Sequence, residues 1–456
     1  TLNSTGWENP ELLKQAERAQ EAIIAADLSK YNYSPPAPPD LLGDGSRRRI
    51  LIIDQTFGDM SVQLSLSGPA DFQTMLKAAR NEHPQADIFI KTHPDVIAER
   101  KKGYLDTSQG CTLIGEDFSP LSLLAQADEI YTVSSQMGFE ALMLNKKVHC
   151  FGLPFYAGWG LTNDRKSCPR RQVKRNFREL FAAAYLLYPR YLNPYSGELT
   201  DIFEVIRILD IQRRQALANR GDWAVLGFSL WKHPQARAFL GTPGAKIRFF
   251  RKTALAADWA EKRGGRILAW SSKLAEIPYN QAKAPLVRME DGFCRSVGLD
   301  SDFQAPYSLV MDTDGIYYDP RRPSAFEGIF SNYEYQSRHQ LLERAEKLRQ
   351  KIIELNLTKY NRIGRDDWAF TPPQGRRGIL VTGQVEADAS ISFSAPDTKT
   401  KLALLRVVRE DNEGALIIYK AHPDVERGNR TAAVTTADVP RPAVPGLAQG
   451  RSVAAS

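Results

Sequence analysis

The chain has 456 residues, and 43% of them are hydrophobic. That length suits roughly three domains of about 150 residues each, and that composition supplies ordinary cores and excludes wholesale disorder. No apolar run reaches the ~20 residues that span a bilayer, and the N-terminus has no signal-peptide pattern, so a cytoplasmic location is expected. A net charge of +7 favours anionic partners, but no basic block is interleaved with aromatics, which sets nucleic acid aside.

Residues 11–26 read as a helix that passes into a proline-rich loop over 33–40. Residues 49–54 form a short apolar run of the kind buried in parallel sheets. Helices are then expected over 72–81, 121–127 and 138–144, alternating with strands over 87–91, 129–133 and 148–151. This alternation predicts an α/β domain built on a parallel sheet. Residues 166–220 are rich in Arg, Tyr and Leu and read as linking helices. Within them, residues 181–196 suit either an amphipathic helix packed on the domains or peripheral contact with anionic lipid. A second α/β region opens at 223–227, with strands expected at 246–250, 266–270, 286–289 and 308–311 and a helix over 336–355. From residue 431 the chain is Ala, Val, Pro and Thr without periodicity, and disorder is expected there.

A block of the chain is written twice. Leu28-Ser29-Lys30-Tyr31-Asn32 returns as Leu357-Thr358-Lys359-Tyr360-Asn361. Lys91-Thr92-His93-Pro94-Asp95-Val96 returns as Lys420-Ala421-His422-Pro423-Asp424-Val425. Each pair is 329 residues apart, which marks a duplicated module and not a solenoid unit. Between these landmarks, Gln55 and Asp59 match Gln384 and Asp388 in register.

Four constellations can carry chemistry. Ser134-Ser135-Gln136 follows a strand and opens a helix, where free N–H groups and hydroxyls favour an anion; the plain alternative is a helix cap. His93 lies just beyond a strand end, as does its repeat His422, and an imidazole there can donate to a phosphate. His83 and His233, also followed by proline, read as surface or turn residues. Asp59 and Asp388 sit in loops after strands, placed for nucleophile or base work or for capping the next helix. Glu290-Asp291-Gly292 follows another strand, and Glu290 is the proton-transfer candidate. The acidic run 312–319 lacks the remaining ligand positions of a calcium loop, and the four cysteines (Cys111, Cys150, Cys168, Cys294) have no metal spacing, so no metal is expected.

In this order the motifs resemble the capsular-polysaccharide β-Kdo transferases of the KpsC type. The resemblance rests on residues 91–96, 133–142, 151–162, 290–296, 315–319 and 384–391. It implies an α/β fold with Rossmann-like three-layer domains of the GT-B type and a helical linker. Residues 1–165 would be the donor half of a first module and 166–221 the linker. Residues 222–335 would be the acceptor half of a second module and 336–430 part of its donor half, leaving 431–456 outside the family. The implied reaction moves β-Kdo from CMP-Kdo to an anionic lipid-linked acceptor with retention, without cofactor or metal.

In that reaction Asp59 resembles the nucleophile, with Asp388 its counterpart and Asp54 the runner-up. His93 and His422 would assist at the phosphate, and Glu290 would handle the acceptor proton. Ser134, Ser135, Gln136, Lys91, Gln55 and Gln384 would hold the donor, and Asp291 and Arg295 the acceptor. Other capsule-assembly proteins, and peripheral contact with the inner face of the cytoplasmic membrane, are the expected partners. Each module keeps only some of these parts, which predicts weak CMP binding by the second module and little transfer by the chain alone. Two other readings stay open: a sialyl-type CMP-sugar transferase, and a non-catalytic scaffold in capsule assembly or export.

Overall fold

A computed structural model describes residues 1–92, 96, 102–105, 110–270, 283–298, 303–331, 339–361, 375, 377–386, 388–395, 398 and 400–422. His93 and residues 431–456, both subjects of sequence expectations, lie outside the described residues. The chain divides into two compact units, Thr1–Ala218 and Asn219–Ser456.

In the first unit α1 (Pro10–Ala25) precedes β1 (Arg49–Ile53), α2 (Met60–Leu64), α3 (Pro69–Glu82), β2 (Asp87–Lys91) and β3 (Thr112–Ile114). There follow α4 (Pro120–Gln126), β4 (Glu129–Thr132), α5 (Gln136–Met143), β5 (Lys147–Cys150) and β6 (Asn163–Asp164). These strands form one parallel sheet in the order β3-β2-β1-β4-β5-β6. The uninterrupted apolar run of β1 is explained by burial on both faces. Ile50 and Ile52 pack on one side with Phe72, Met75 and Ala79 of α3, whereas Leu51 and Ile53 pack on the other with Ala16, Ala19 and Phe139. Successive residues of a strand point to opposite faces, so a strand covered on both must be apolar throughout.

Residues 166–221, expected as a helical linker, contain more than helices. They hold α6 (Phe177–Phe181), a π-helical turn (Ala182–Leu187), the antiparallel pair β7 (Tyr191–Leu192) and β8 (Leu199–Thr200), and the whole of α7 (Ile202–Asn219). Leu180, Phe181, Ala182, Ile202 and Ile206 belong to the core of the first unit.

The second unit contains β9 (Gly221–Leu226), α8 (His233–Leu240), β10 (Ala245–Phe250), α9 (Thr253–Glu261), β11 (Arg266–Trp270), β12 (Leu286–Asp291) and β13 (Leu309–Asp312). Its sheet runs β10-β9-β11-β12-β13, parallel except for β13. Then come α10 (Ala325–Ser331), α11 (His339–Glu354), β14 (Gly378–Thr382), α12 (Ala389–Ser394), α13 (Lys401–Glu410) and β15 (Leu416–Lys420). The sequence repeat is also a structural one. β1 pairs with β2 from Arg49↔Asp87 to Ile53↔Lys91, and β14 pairs with β15 from Gly378↔Leu416 to Thr382↔Lys420, the same register displaced by the repeat.

Two histidines expected at the surface or in turns are otherwise employed. His83 caps α3, its side chain is only 10% exposed, and its Nε2 lies 3.1 Å from the Tyr131 hydroxyl. His233 begins α8 and stacks on Phe249 at 3.7 Å. In both cases the flat imidazole fills space against an aromatic ring, which the His-Pro dipeptide does not reveal.

Candidate functional site

The carboxyl ends of β1 and β4 are neighbours in the sheet, and the residues that follow them meet. The Gln55 side chain joins the two loops. Its Oε1 accepts from the Ser134 backbone N–H at 3.0 Å, and its Nε2 lies 3.2 Å from both the Ser61 and Ser134 hydroxyls. Those two hydroxyls are 3.3 Å apart. Asp59 joins the group through its backbone neighbours, since its Oδ1 accepts from the Ser61 N–H at 2.9 Å and caps α2. Ser61 carried no sequence signal; only the fold brings it beside Ser134.

Ser135 is the cap of α5, accepting from the Met137 N–H at 3.3 Å. The plain reading thus describes Ser135, while Ser134 faces Gln55. Gln136 reaches the Tyr185 hydroxyl at 3.5 Å. The start of α5 is braced from behind by Tyr156, wholly buried, whose hydroxyl donates to the Ser135 carbonyl at 2.6 Å. The aromatic motif at 151–162 therefore supports the serine turn. Lys91 ends β2 and is nearly buried, donating to the carbonyls of Glu116 at 2.9 Å and Thr92 at 3.2 Å. Burial lowers its pKa, against the opposing pull of Asp117.

Asp54 differs from Asp59. It is 5% exposed and accepts backbone N–H bonds from Gln55 at 2.9 Å and Tyr104 at 3.2 Å. Gly103 permits this approach, because a Cβ there would lie 2.3 Å from Asp54 Oδ2. Burial raises the carboxyl to about 6, the backbone bonds opposing it. The folded state thus holds the Asp54 proton more tightly than the unfolded chain, where an Asp titrates near 3.9. The stability linked to that proton is complete below about pH 4 and is lost as pH rises through about 6, by about 3 kcal/mol in all. Asp54→Asn keeps an acceptor for Gln55 and Tyr104 and has no such loss. Urea unfolding is expected to show the parent falling relative to the variant between about pH 4 and pH 7; parallel pH profiles would rule this out.

The second unit gathers a matching set. Glu290, near the end of β12, has Oε1 accepting from the Asp291 N–H at 3.0 Å and Oε2 3.5 Å from the Tyr318 hydroxyl. The Tyr317 phenol is pushed up to about 12, by burial first and then by the negative fields of Glu290, Asp291 and Asp388. Tyr318 stacks on Phe393 of α12 at 6.4 Å, and the Arg321 guanidinium covers the same ring at 4.0 Å. Glu290 and Asp388, almost a hundred residues apart, therefore flank one tyrosine pair. Asp388 caps α12 through the Ser390 N–H at 3.0 Å, repeating what Asp59 does with Ser61. Gln384 is exposed and His422 half-buried.

Asp291 and Arg295 form an ion pair at 2.8 Å, 6% and 1% exposed. Arg295 also donates to the Gln304 carbonyl at 3.1 Å. The repeat adds one contrast, since Phe393 corresponds to Leu64, which is 76% exposed. Among the described residues the group able to approach a metal is Glu82, His83 and His149, with ligand atoms within 4.8 Å of one another. These atoms already face Tyr131, Glu129 and Arg165.

Each of the two α/β units thus carries carboxylates and hydroxyls near the carboxyl ends of its strands. The chain is a member of the capsule polysaccharide biosynthesis protein family, whose sequence model matches residues 37–191 and 269–444. It is 43% identical over 444 residues to the capsule polysaccharide modification protein LipA of Neisseria meningitidis serogroup B, covering 94% of this chain and 62% of LipA. The chain thus spans less than two thirds of the length of that relative. The lipopolysaccharide-processing protein LpsZ of Rhizobium meliloti is 38% identical over 209 residues, which cover 45% of this chain and 48% of LpsZ. Among solved structures, the KpsC β-Kdo 2,4 transferase of Thermosulfurimonas dismutans is 54% identical with a TM-score of 0.43, covering 45% of this chain and 64% of that one.

Proposed function

We propose that this capsule biosynthesis protein is a retaining glycosyltransferase that takes β-Kdo from CMP-Kdo and passes it to an anionic lipid-linked acceptor. The observation that carries the reading is the Gln55–Ser61–Ser134 cluster between the ends of β1 and β4. The strand order of the first sheet is that of doubly wound nucleotide-binding domains, and it reverses between β1 and β4. A crevice at that reversal is where such sheets take a nucleotide, so the first sheet suits the donor half of a GT-B enzyme. The hydroxyls and the N–H groups that open α5 suit the phosphate that CMP carries away, because preorganised donors stabilise the charge developing there. Asp59 suits the nucleophile, its carboxylate trapping an oxocarbenium-like centre, and Glu290 suits the acceptor proton. In this reading the route uses no metal, His93 and His422 assist at the phosphate, and Lys91, Gln136 and Gln384 complete the donor contacts. The Asp291–Arg295 pair shapes the acceptor side.

Calorimetric titration with CMP tests the carrying observation. The parent is expected to bind, and Ser134→Ala and Gln55→Leu each to weaken binding about tenfold, the worth of one hydrogen bond to a charged group. Equal affinity in parent and both variants, or no binding by the parent, would remove the donor site from this cluster.

A further inference from the structure

The loop that carries Asp59 is held from both sides. Towards β4 the hold is the Gln55 side chain, which belongs to the donor cluster. The opposite hold comes from residues 102–105, in the connection between β2 and β3, and shares no bond with that cluster. Thr56 makes an antiparallel bridge with Gly103, and the Phe57 N–H donates to the Lys102 carbonyl at 2.7 Å. Nearest to Asp59, the Gly58 N–H donates to the Tyr104 hydroxyl at 3.1 Å.

Tyr104 is itself anchored in the core. Its ring stacks on that of Phe72, 4.2 Å away and 3° from parallel, and Phe72 is wholly buried on α3. Its N–H donates to Asp54 at 3.2 Å, and its carbonyl accepts from the Gln73 side chain at 3.4 Å. The Phe57 ring, 60% exposed, leans on the same ring at 5.1 Å.

Gly58 is the weak point of the loop. Its φ of +83° lies in the left-handed region, and with no Cβ to restrict it a glycine leaves such a conformation more readily than any other residue. The bonds that Asp59 makes next to it are local. Its N–H donates to the Thr56 carbonyl at 3.1 Å, and its Oδ1 accepts from the Ser61 N–H at 2.9 Å. Local bonds fix the shape of the turn but not where the turn stands against the sheet. The Tyr104 hydroxyl does fix that, because it ties Gly58 to a ring anchored on α3.

We propose that Tyr104 is a positioning residue for Asp59, holding the loop so that the carboxylate meets the anomeric carbon of the donor sugar. This role rests on the transfer reading given above. It matters because a reacting group displaced by about 1 Å loses about 100-fold in rate. The test compares two quantities in the full chain: the rate of sugar-ester formation at saturating CMP-Kdo, and the affinity for CMP by calorimetry.

Tyr104→Phe keeps the stack on Phe72 and removes only the acceptor for Gly58. It is expected to slow ester formation about tenfold and to leave CMP affinity within about twofold. The lost bond is exposed, so the unfolding midpoint should not move. Tyr104→Leu also removes the stack and is expected to slow the ester further, about 100-fold. Gln73→Ala, which loosens only the carbonyl side of Tyr104, should match the parent. Deuterium exchange gives a readout free of turnover: the Gly58 amide should exchange about fivefold faster in Tyr104→Phe, the worth of one neutral hydrogen bond. A parent that forms no ester overturns the transfer reading and this role with it. With an ester-forming parent, this role alone falls if Tyr104→Phe is as fast, or if its Gly58 amide exchanges no faster. It falls equally if CMP affinity drops in step with the rate, or if Gln73→Ala is slowed as much.

Discussion

Incubation with CMP-Kdo is expected to leave a sugar ester on Asp59, and Asp59→Asn to lower its yield on the order of 10³-fold or more. On the proposed route a carboxylate oxygen bonds to the anomeric carbon while the bond from that carbon to the CMP phosphate breaks. CMP departs with the electron pair. The substitution isolates chemistry from folding, because Asn caps a helix about as well as Asp. The Ser61 N–H keeps its acceptor, and the unfolding midpoint should not move. Asp54→Asn is the comparison: Asp54 is engaged by backbone N–H groups, and its repeat partner is Gly383. That variant should retain the ester. Intact mass followed by peptide mapping reads the outcome, and an ester that persists in Asp59→Asn or maps to Asp54 would overturn the assignment.

Gly138→Ala is expected to destabilise the first unit by about 1–3 kcal/mol, the range for overpacking a close-packed core. On propensity alone the change should stabilise, since Ala exceeds Gly by about 1 kcal/mol inside a helix. Sterics decide the sign here. A Cβ at Gly138 would lie 2.1 Å from the Tyr156 hydroxyl oxygen, 2.7 Å from its ring and 3.0 Å from Thr132. Tyr156 is fully buried and has nowhere to go. Moving it also breaks the bond to the Ser135 carbonyl that braces the start of α5, so CMP affinity should fall together with stability. Tyr156→Phe removes the nearest clashing atom. The double variant should therefore lose less than the sum of the single losses, a coupling that urea unfolding of the four proteins measures. A Gly138→Ala protein as stable as the parent would show that the helix and Tyr156 separate without cost.

The repeat links Asp59 with Asp388. Asp59 and Asp388 make the same cap, and the strand pairs before them share one register. Their surroundings differ at one corresponding position. Phe393 lies between Tyr318 and Arg321, whereas its counterpart Leu64 is exposed. The cap, the strand pair and Phe393 belong to the duplicated module itself, while Tyr318 and Arg321, which meet the Phe393 ring, lie outside it.

Local chemistry made much of this legible from the sequence alone. A strand buried on both faces must be apolar, so the run of β1 could be read to within a residue. A capped helix announces itself by its serine or aspartate, and a fixed offset between two polar motifs reveals duplication without any coordinates. The rest depended on contacts between distant segments, which leave no periodic trace. Ser61 beside Ser134, Glu290 with Asp388 around Tyr317, and Tyr156 beneath α5 were decided by strand order and packing. The burial that lifts the Asp54 carboxyl also comes from a separate segment, residues 103–105, closing over it. Sequence fixes which groups are available, because side-chain chemistry is local. Only the tertiary structure fixes which of them share a space, because proximity is settled by the whole chain at once.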